Sequence, residues 1–371
     1  MNKNTILRSY GTDYKNMTKR LLAASELSAL LEERCIKLRK EKPEFSIGIK
    51  PNVLGCNPAE FGATTHTEVV AGIIEYLQES GYENISVMEG AWIGDKTSEA
   101  FEILGYTSLA AQYKVELIDN QKQSSFKADC AGMQLNICNS YKNVDFFINV
   151  PVLKGHCQTK ITCALKNMKG MIPNSEKRRF HSMGLHKPIA HLNTYIKQDF
   201  IVIDHICGDP DFEEGGNPLI TNCVMTAQDP VLVDAYAAEI LGYRPYDIEY
   251  IRLAEELGAG SANLDNLELI TVEGKCTESE VDIHKILNVN YAVDDIESCS
   301  ACYGMLISAL SRLKEEGLLQ YINERICIGQ GYRGKIGKCG VGNCTSCFEF
   351  NLPGCPPAEE EIYTALKNRF S

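Results

Sequence analysis

Cysteine residues are concentrated at the C-terminal end of this chain. Sixteen occur among 371 residues, and seven of them lie in the last 73. Cys299 and Cys302 form a C-x-x-C pair, Cys344 and Cys347 form a second pair, and Cys355 stands in the sequence Gly-Cys-Pro-Pro. Thiolates are soft ligands that suit zinc and iron–sulfur clusters. The region from about residue 297 onward therefore predicts a metal centre.

The residues around these cysteines favour an iron–sulfur cluster. Glycines near Cys344 and Cys355 allow the backbone to approach closely and to donate N–H groups to cluster sulfides. Pro356 and Pro357 disfavour a helix at Cys355 and keep it in an open loop. The nine remaining cysteines lie within residues 1–298, mostly in apolar contexts, and are expected to be small buried side chains. A large chain without an evident export signal is not expected to use them in disulfides.

The C-terminal pattern resembles the proximal-cluster motif of nickel–iron hydrogenase small subunits and of their relative in respiratory complex I. In that motif a C-x-x-C precedes a helix, a G-x-C lies in a later loop, and G-C-P-P supplies the last ligand. The resemblance covers about the last 73 residues. It implies a [4Fe–4S] cluster held by Cys299, Cys302, Cys344 and Cys355.

The sequence leaves the metal and its ligands open in two respects. Cys327, Cys339 and Cys347 have no counterpart in the motif, so one of them could replace a named ligand or hold a second cluster. A four-cysteine zinc site would instead use the two C-x-x-C pairs, which leaves the G-C-P-P sequence unexplained. A tail without any metal is the third interpretation.

A basic segment follows a strongly apolar stretch, Phe146–Val150. Ligands of open α/β sheets bind beyond the carboxyl ends of strands, so cations at this position predict a cleft for an anionic ligand. The alternative is a solvated basic loop. The cations of the segment are Lys154, Lys160, Lys166, Lys169, Lys177, Arg178, Arg179 and Lys187, and His156 lies among them.

Several motifs resemble the domain-of-unknown-function family numbered 362. They are Ile49-Lys50-Pro51-Asn52, Thr64-Thr65, VPVLKGH at 150–156, ALKNMKG at 164–170, His186 and DPVLVDA at 229–235. The resemblance implies an α/β fold, and many members carry an iron–sulfur module. It also implies a pocket, whose residues we divide into two sets. Candidate catalytic residues are Lys154, His156, Lys166 and Lys169, and candidate cofactor-binding residues are Lys50, Asn52, Asn167, His186, Asp204 and Asp234.

Strands and helices alternate along the first 290 residues. The predicted strands are 45–50, 85–89, 115–118, 146–150 and 200–204, with an edge strand within 264–272. Helices are predicted over 18–40, from about 64 to 81, and over 231–241. We therefore predict an α/β domain over residues 1–290, with a mostly parallel sheet and flanking helices, and a small iron–sulfur module over 291–371. The boundary is expected within 277–296.

Composition limits the partners of this protein. The net charge of −12 argues against nucleic-acid binding, and the apolar stretches are too short to cross a bilayer. Because the N-terminal residues are polar and no signal peptide is evident, a soluble cytoplasmic protein of anaerobic type is predicted. The glycine-rich run 329–335 lacks a nucleotide-binding pattern.

The predicted function is redox chemistry. The cluster would exchange single electrons with a bound anionic substrate, a cofactor or a partner protein, and a homodimer is compatible with this hypothesis. One alternative is a non-redox acid–base enzyme of isomerase or lyase type, in which the cluster is structural. Another is a scaffold that delivers iron–sulfur or another metal to a client enzyme.

Overall fold

Strands and helices alternate along most of the chain. The computed structural model describes residues 2–276 and 289–370. The strands, in chain order, are β1 Thr5–Tyr10, β2 Ile47–Pro51, β3 Ile85–Glu89, β4 Glu116–Asp119, β5 Ser125–Cys130, β6 Met133–Cys138, β7 Phe146–Val150, β8 Lys154–His156, β9 Lys160–Thr162, β10 Phe200–His205, β11 Cys223–Ala227, β12 Glu268–Glu273, β13 Val293–Asp295, β14 Ile326–Ile328, β15 Cys339–Val341 and β16 Phe350–Leu352. The α-helices are α1 Tyr14–Ala24, α2 Leu27–Leu38, α3 Thr67–Glu79, α4 Thr97–Ile103, α5 Tyr106–Tyr113, α6 Ala164–Asn167, α7 Asn174–Met183, α8 His186–Tyr195, α9 Pro230–Ile240, α10 Glu249–Glu256, α11 Ser300–Glu315 and α12 Glu359–Phe370.

The chain divides into two compact units. Within the described residues, the first unit contains 2–155, 161–209 and 214–276. The second unit contains 289–370 together with two short segments, 156–160 and 210–213. The predicted boundary at 277–296 falls largely on residues 277–288, which lie outside the described part of the chain.

An eight-stranded sheet forms the frame of the first unit. Its order is β12-β1-β11-β10-β7-β2-β3-β4, and the pairings from β10 through β7, β2 and β3 to β4 are all parallel. Only β11 runs antiparallel to its neighbours, β1 and β10. This sheet confirms the predicted α/β class.

Apolar cores cover both faces of this sheet. Along β7, Phe146, Ile148 and Val150 join one core, whereas Phe147 joins the other. Successive side chains of a strand point to opposite faces, so a strand buried on both sides needs a nearly continuous apolar run. The runs at β7 and β10 were predictable for this reason.

The first unit differs from the sequence prediction in several elements, among them the unpredicted strands β5, β6 and β11. The single helix predicted over 18–40 is wrong, because the chain forms α1 and α2 with a break at Glu26, whose φ of 58° is left-handed. Strand β1 was not predicted, although it pairs with both β11 and β12. The predicted edge strand is present as β12, which ends the sheet order.

A second, smaller sheet organises the C-terminal unit. Strands β13, β14, β15 and β16 lie in that order and are parallel throughout. Each has three residues. The sheet shares one apolar core with α11 and α12, which includes Leu306, Leu310, Ile328, Val341 and Ile362. The carboxyl ends of all four strands therefore lie along one edge.

Candidate functional site

The predicted cluster ligands follow the strands of the small parallel sheet. Cys299 comes four residues after β13, and Cys344 and Cys355 each come three residues after β15 and β16. Helix α11 begins directly after Cys299, and Cys302 lies in its first turn. Because parallel strands end at a common edge, these loops begin side by side although they are far apart in sequence.

Backbone hydrogen bonds join the loops of Cys344 and Cys355. The amide of Asn343 donates to the carbonyl oxygen of Gly354 at 2.9 Å, and the amide of Gly354 donates to Asn343 Oδ1 at 2.9 Å. Gly342 donates to Leu352 O at 2.8 Å. Gly342 has φ 90°, and a Cβ added to it would lie 3.7 Å from Cys302 Sγ. Its backbone therefore passes close to one of the thiols.

The glycine-rich loop after β14 packs in the same way against the segment that precedes Cys299. The amides of Gln330 and Gly331 donate to the carbonyl oxygens of Glu297 and Ile296, at 3.0 and 2.9 Å. A Cβ on Gly329, whose φ is 117°, would lie 2.1 Å from Ile296 O, so a side chain is excluded there. The role of this loop is close backbone packing.

The predicted ligands affect the pKa values of one another's thiols. A hydrogen bond with Cys302 lowers the pKa of Cys299 to about 6, although burial opposes the change. The same hydrogen bond raises the pKa of Cys302, together with burial and the charges of Cys299, Cys355 and Cys344. The structure thus brings Cys299, Cys302, Cys344 and Cys355 to one place.

Arg333 completes this group and was not found from the sequence. Its guanidinium donates a hydrogen bond to Cys344, and this bond raises the pKa of Arg333, with further contributions from the charges of Cys299 and Cys355. No spacing motif marks such an arginine, because it reaches the thiols through the loop after β14.

The other three cysteines of the tail lie elsewhere. Cys327 and Cys339 belong to β14 and β15, and burial raises the pKa of Cys339 to about 12. Cys347 is exposed.

A zinc ion and a four-iron cluster place different requirements on four cysteine ligands. Among the described residues, no three or more His, Cys, Asp or Glu side chains are arranged to hold a single metal ion. One tetrahedral zinc ion would need each sulfur within about 2.3 Å of it. In a four-iron cluster each thiolate binds a different iron, so the sulfurs lie further apart. Four cysteine thiols in glycine-lined loops are a donor set whose chemistry suits an iron–sulfur cluster.

A buried ion pair lies at the carboxyl end of strands β2 and β3. Lys50 Nζ donates to Glu89 Oε2 at 2.6 Å, to Asn167 Oδ1 at 2.8 Å and to Pro51 O at 2.8 Å. The side chains of Lys50 and Glu89 are 1% and 2% exposed. Burial lowers the pKa of Lys50, and the charge of Glu89 opposes this change. The predicted residues Lys50 and Asn167 therefore meet, but around a carboxylate that the sequence did not single out.

A second buried lysine adjoins this pair. Lys177 Nζ donates to the carbonyl oxygens of Gly90 and Ala91, at 2.8 and 2.6 Å. Burial lowers the pKa of Lys177 to about 8. A Cβ on Gly170 would lie 1.6 Å from Glu89 Oε1. Glu89 therefore leaves no room for a side chain at Gly170 of the family motif. Lys169 is half-buried.

Lys154 and Asp204 both form hydrogen bonds with the segment that leads into α3. Lys154 is fully buried and donates to Ala63 O at 2.5 Å, so it is not part of a solvated loop. Asp204 Oδ2 accepts hydrogen bonds from the backbone N and from Nδ1 of His66, at 2.7 and 2.9 Å. Asn52 is buried and directly follows β2. Its Oδ1 has no hydrogen-bond partner among the described residues.

The remaining predicted residues form two further groups. Lys166 Nζ donates to Thr162 Oγ1 at 3.0 Å. Burial raises the pKa of Asp234 to about 7, and a hydrogen bond from Tyr250 opposes the shift. His186 stacks on the same Tyr250, with ring centroids 5.8 Å apart.

His156 belongs to the second unit, whereas Lys154 belongs to the first. Within the second unit, His156 Nε2 lies 2.8 Å from Glu213 Oε2, and its Nδ1 accepts from the amides of Gln158 and Thr159. Both ring nitrogens are therefore engaged.

Comparison with known proteins identifies the family. The model of the family described as "Domain of unknown function (DUF362)" matches residues 47–239. The chain belongs to this family. The DUF362 match runs from β2 to α9 and contains every predicted cleft residue, whereas the cysteine loops of the tail lie beyond it.

A relative of this DUF362 protein is a thylakoid-associated protein of Synechocystis. It is 24% identical over 231 residues, which cover 58% of this chain and 69% of the relative. A search of the described helices for an apolar stretch that could cross a bilayer found no such helix.

The first prediction concerns Glu89. Replacing Glu89 with Gln removes the negative charge from a buried pair and leaves Lys50 without its counter-charge. We expect the free energy of unfolding to fall by about 3–5 kcal/mol, measured by urea denaturation. The matched control is Glu99→Gln, because Glu99 pairs with Lys96 on the surface, and there a loss below about 1 kcal/mol is expected. Equal losses would contradict the assignment of Glu89 as a buried counter-ion.

The second prediction concerns Lys177 and pH. The folded protein releases the Lys177 proton near pH 8, whereas the unfolded chain keeps it until about 10.5, so the unfolded state binds more protons between these values. The contribution of Lys177 to stability therefore rises with pH across this window. Each pKa unit is worth about 1.36 kcal/mol, so the stability difference between wild type and Lys177→Met should grow by roughly 3 kcal/mol from pH 8 to 10.5. A difference that stays constant across this range would count against a neutral Lys177.

Proposed function

We propose that the second unit holds a [4Fe–4S] cluster and that the protein exchanges single electrons with an anionic substrate, a cofactor or a partner protein. The observation that carries this proposal is the convergence of Cys299, Cys302, Cys344 and Cys355 at one edge of a parallel sheet. When bound, the cluster would supply one-electron oxidation and reduction.

The position of Cys355 supports this ligand set over a zinc site. A zinc site made of two C-x-x-C pairs would use Cys347 as its fourth ligand. The charge of Cys355 contributes to the pKa shifts of Cys302 and Arg333. The hydrogen bonds between Asn343 and Gly354 give a reason, since they tie the Cys355 loop to the Cys344 loop.

Positive charge beside the thiols supports both electron transfer and an anionic partner. Arg333 donates to Cys344 and would stabilise the additional negative charge of a reduced centre. Lys335 and Lys338 are exposed on the same loop, and Ile336 between them is 85% exposed. In a protein of net charge −12, this basic loop is a local surface that attracts an acidic partner.

The third prediction tests the ligand set. Anaerobically purified protein should be brown and contain about four iron and four sulfide per chain. Cys355→Ala should lose the cluster, because one of its four thiolates is removed. Cys347→Ala, a change of another exposed cysteine eight positions earlier, should keep it, as should Cys163→Ala in the first unit. Colourless protein with one zinc per chain, or iron lost from Cys347→Ala and kept in Cys355→Ala, would contradict the proposal.

The fourth prediction concerns Arg333. Arg333→Gln removes a positive charge next to the thiols, so reduction becomes less favourable and the midpoint potential should fall by an amount on the order of tens of millivolts. The measurement is a redox titration followed by electron paramagnetic resonance, with iron counted in each sample. Arg325→Gln carries the same charge change on an exposed residue outside the thiol group and should leave the potential nearly unchanged. Equal shifts in the two variants would remove Arg333 from the centre.

A further inference from the structure

Three side chains of the first unit form a chain of contacts at the carboxyl end of β10. Asp204 Oδ2 lies 2.9 Å from His66 Nδ1, and His66 Nε2 lies 3.8 Å from Cys207 Sγ. All three are buried, with 1%, 5% and 5% of their surface exposed. A carboxylate, an imidazole and a thiol in this order are the components of a cysteine nucleophile with its base and orienting acid.

Local structure fixes the orientation of the imidazole. Asp204 accepts three hydrogen bonds, from the backbone N of His66, from its Nδ1 and from the amide of Ile206. His66 directly precedes α3, so its backbone is also set by the start of a 13-residue helix. With Nδ1 donating to the carboxylate, Nε2 is the nitrogen that faces sulfur. This is the tautomer that can exchange a proton with a thiol.

The surroundings favour a proton on the imidazole. Burial lowers the pKa of His66, but the charge and hydrogen bond of Asp204 outweigh burial, and Cys207 adds to their effect, so that the pKa rises to about 11. Cys207 Sγ also lies 3.3 Å from Ala59 O, which competes with His66 for the thiol proton.

Other ionisable groups surround the three residues. The ring of Tyr14 lies edge-on to His66, at 5.5 Å, and Tyr106 donates its hydroxyl hydrogen to Thr65 O. Glu60 and Glu68 are exposed and act on the charge of Tyr14. The negative charge of these carboxylates disfavours an anionic substrate near the three residues and favours an uncharged one.

We propose that Cys207 is a nucleophile that accepts an acyl group from an uncharged ester or thioester, with His66 as its acid–base partner and Asp204 as the positioning residue. This activity goes beyond the proposed electron transfer and requires no metal. It uses residues of the DUF362 match that are not among the predicted catalytic set.

The reaction balances without a further reagent. Cys207 reacts as the thiolate of an ion pair with the His66 imidazolium, and its sulfur forms a bond to the carbonyl carbon of the donor. The bond from that carbon to the leaving oxygen or sulfur breaks, and His66 Nε2 gives its proton to the leaving group. Water then attacks the acyl-Cys207 thioester, the neutral His66 takes a proton of the water, and the carboxylic acid leaves as the thiolate–imidazolium pair re-forms.

The test uses p-nitrophenyl acetate with the full chain, purified anaerobically. Acetylation of each cysteine is followed by quenching, digestion and peptide mass spectrometry, so the sixteen thiols are resolved. Cys207 should be acetylated at least about 100-fold faster than Cys35, which is 6% exposed and has no histidine partner in the described contacts. Equal rates for Cys207 and Cys35 would overturn the proposal, and this comparison needs no variant.

Variants separate a chemical role from a structural one. In wild type the reaction at Cys207 should persist below pH 7, because the positive charge of the His66 imidazolium stabilises the thiolate. In His66→Gln and Asp204→Asn the rate should fall by about 100-fold at pH 7 and should recover as pH rises past about 8.5, where an isolated thiol ionises. Circular dichroism checks that each variant is folded. A folded Asp204→Asn protein with the wild-type pH profile would show that Asp204 has only a structural role and would overturn the assignment.

Discussion

Parallel pairing of the four short strands β13–β16 is the constraint on which the proposed metal centre depends. Each strand has only three residues, yet their carboxyl ends fall on one edge and place the loops of Cys299, Arg333, Cys344 and Cys355 side by side. The hydrogen bonds of Asn343 with Gly354 then hold two of these loops together. Gly329 permits a backbone approach that any side chain would block. The thiols therefore converge because of the sheet, and not because of the C-x-x-C spacing alone.

The first unit follows the same rule on a larger scale. Its parallel strands β2, β3, β7 and β10 end at one edge, where Lys50, Glu89 and Asp204 lie almost without exposure to solvent. Buried charges are costly, so each is matched: Lys50 by Glu89, and Asp204 by His66. Lys154 and Lys166, two cations of the basic segment, are internal groups with hydrogen bonds to the protein, and so is Lys50. This edge is therefore a rigid, charged interior, and the reactive candidate within it is the Cys207–His66 pair.

Sequence was sufficient for those features that leave a local pattern. The apolar runs at β7 and β10 appear because both faces of the sheet are covered, and the cysteine spacing marks the tail. Arg333 and Glu89 escaped notice because their partners are distant in sequence and no fixed spacing relates them. Cys207 looked like one more small apolar side chain, since His66 lies 141 positions earlier. The glycine-rich run 329–335 was judged by its lack of a nucleotide motif, whereas its glycines serve close packing against Ile296.

We propose that Cys299, Cys302, Cys344 and Cys355 together bind one four-iron cluster. Mössbauer spectroscopy of protein from cells grown on ⁵⁷Fe, before and after reduction with dithionite, can decide this because every iron atom contributes to the spectrum. We expect iron in tetrahedral sulfur sites with delocalised valence in the oxidised sample, and a change in all of the iron signal on one-electron reduction. A spectrum of isolated single iron ions, or protein that carries zinc in place of iron when iron is supplied, would contradict it.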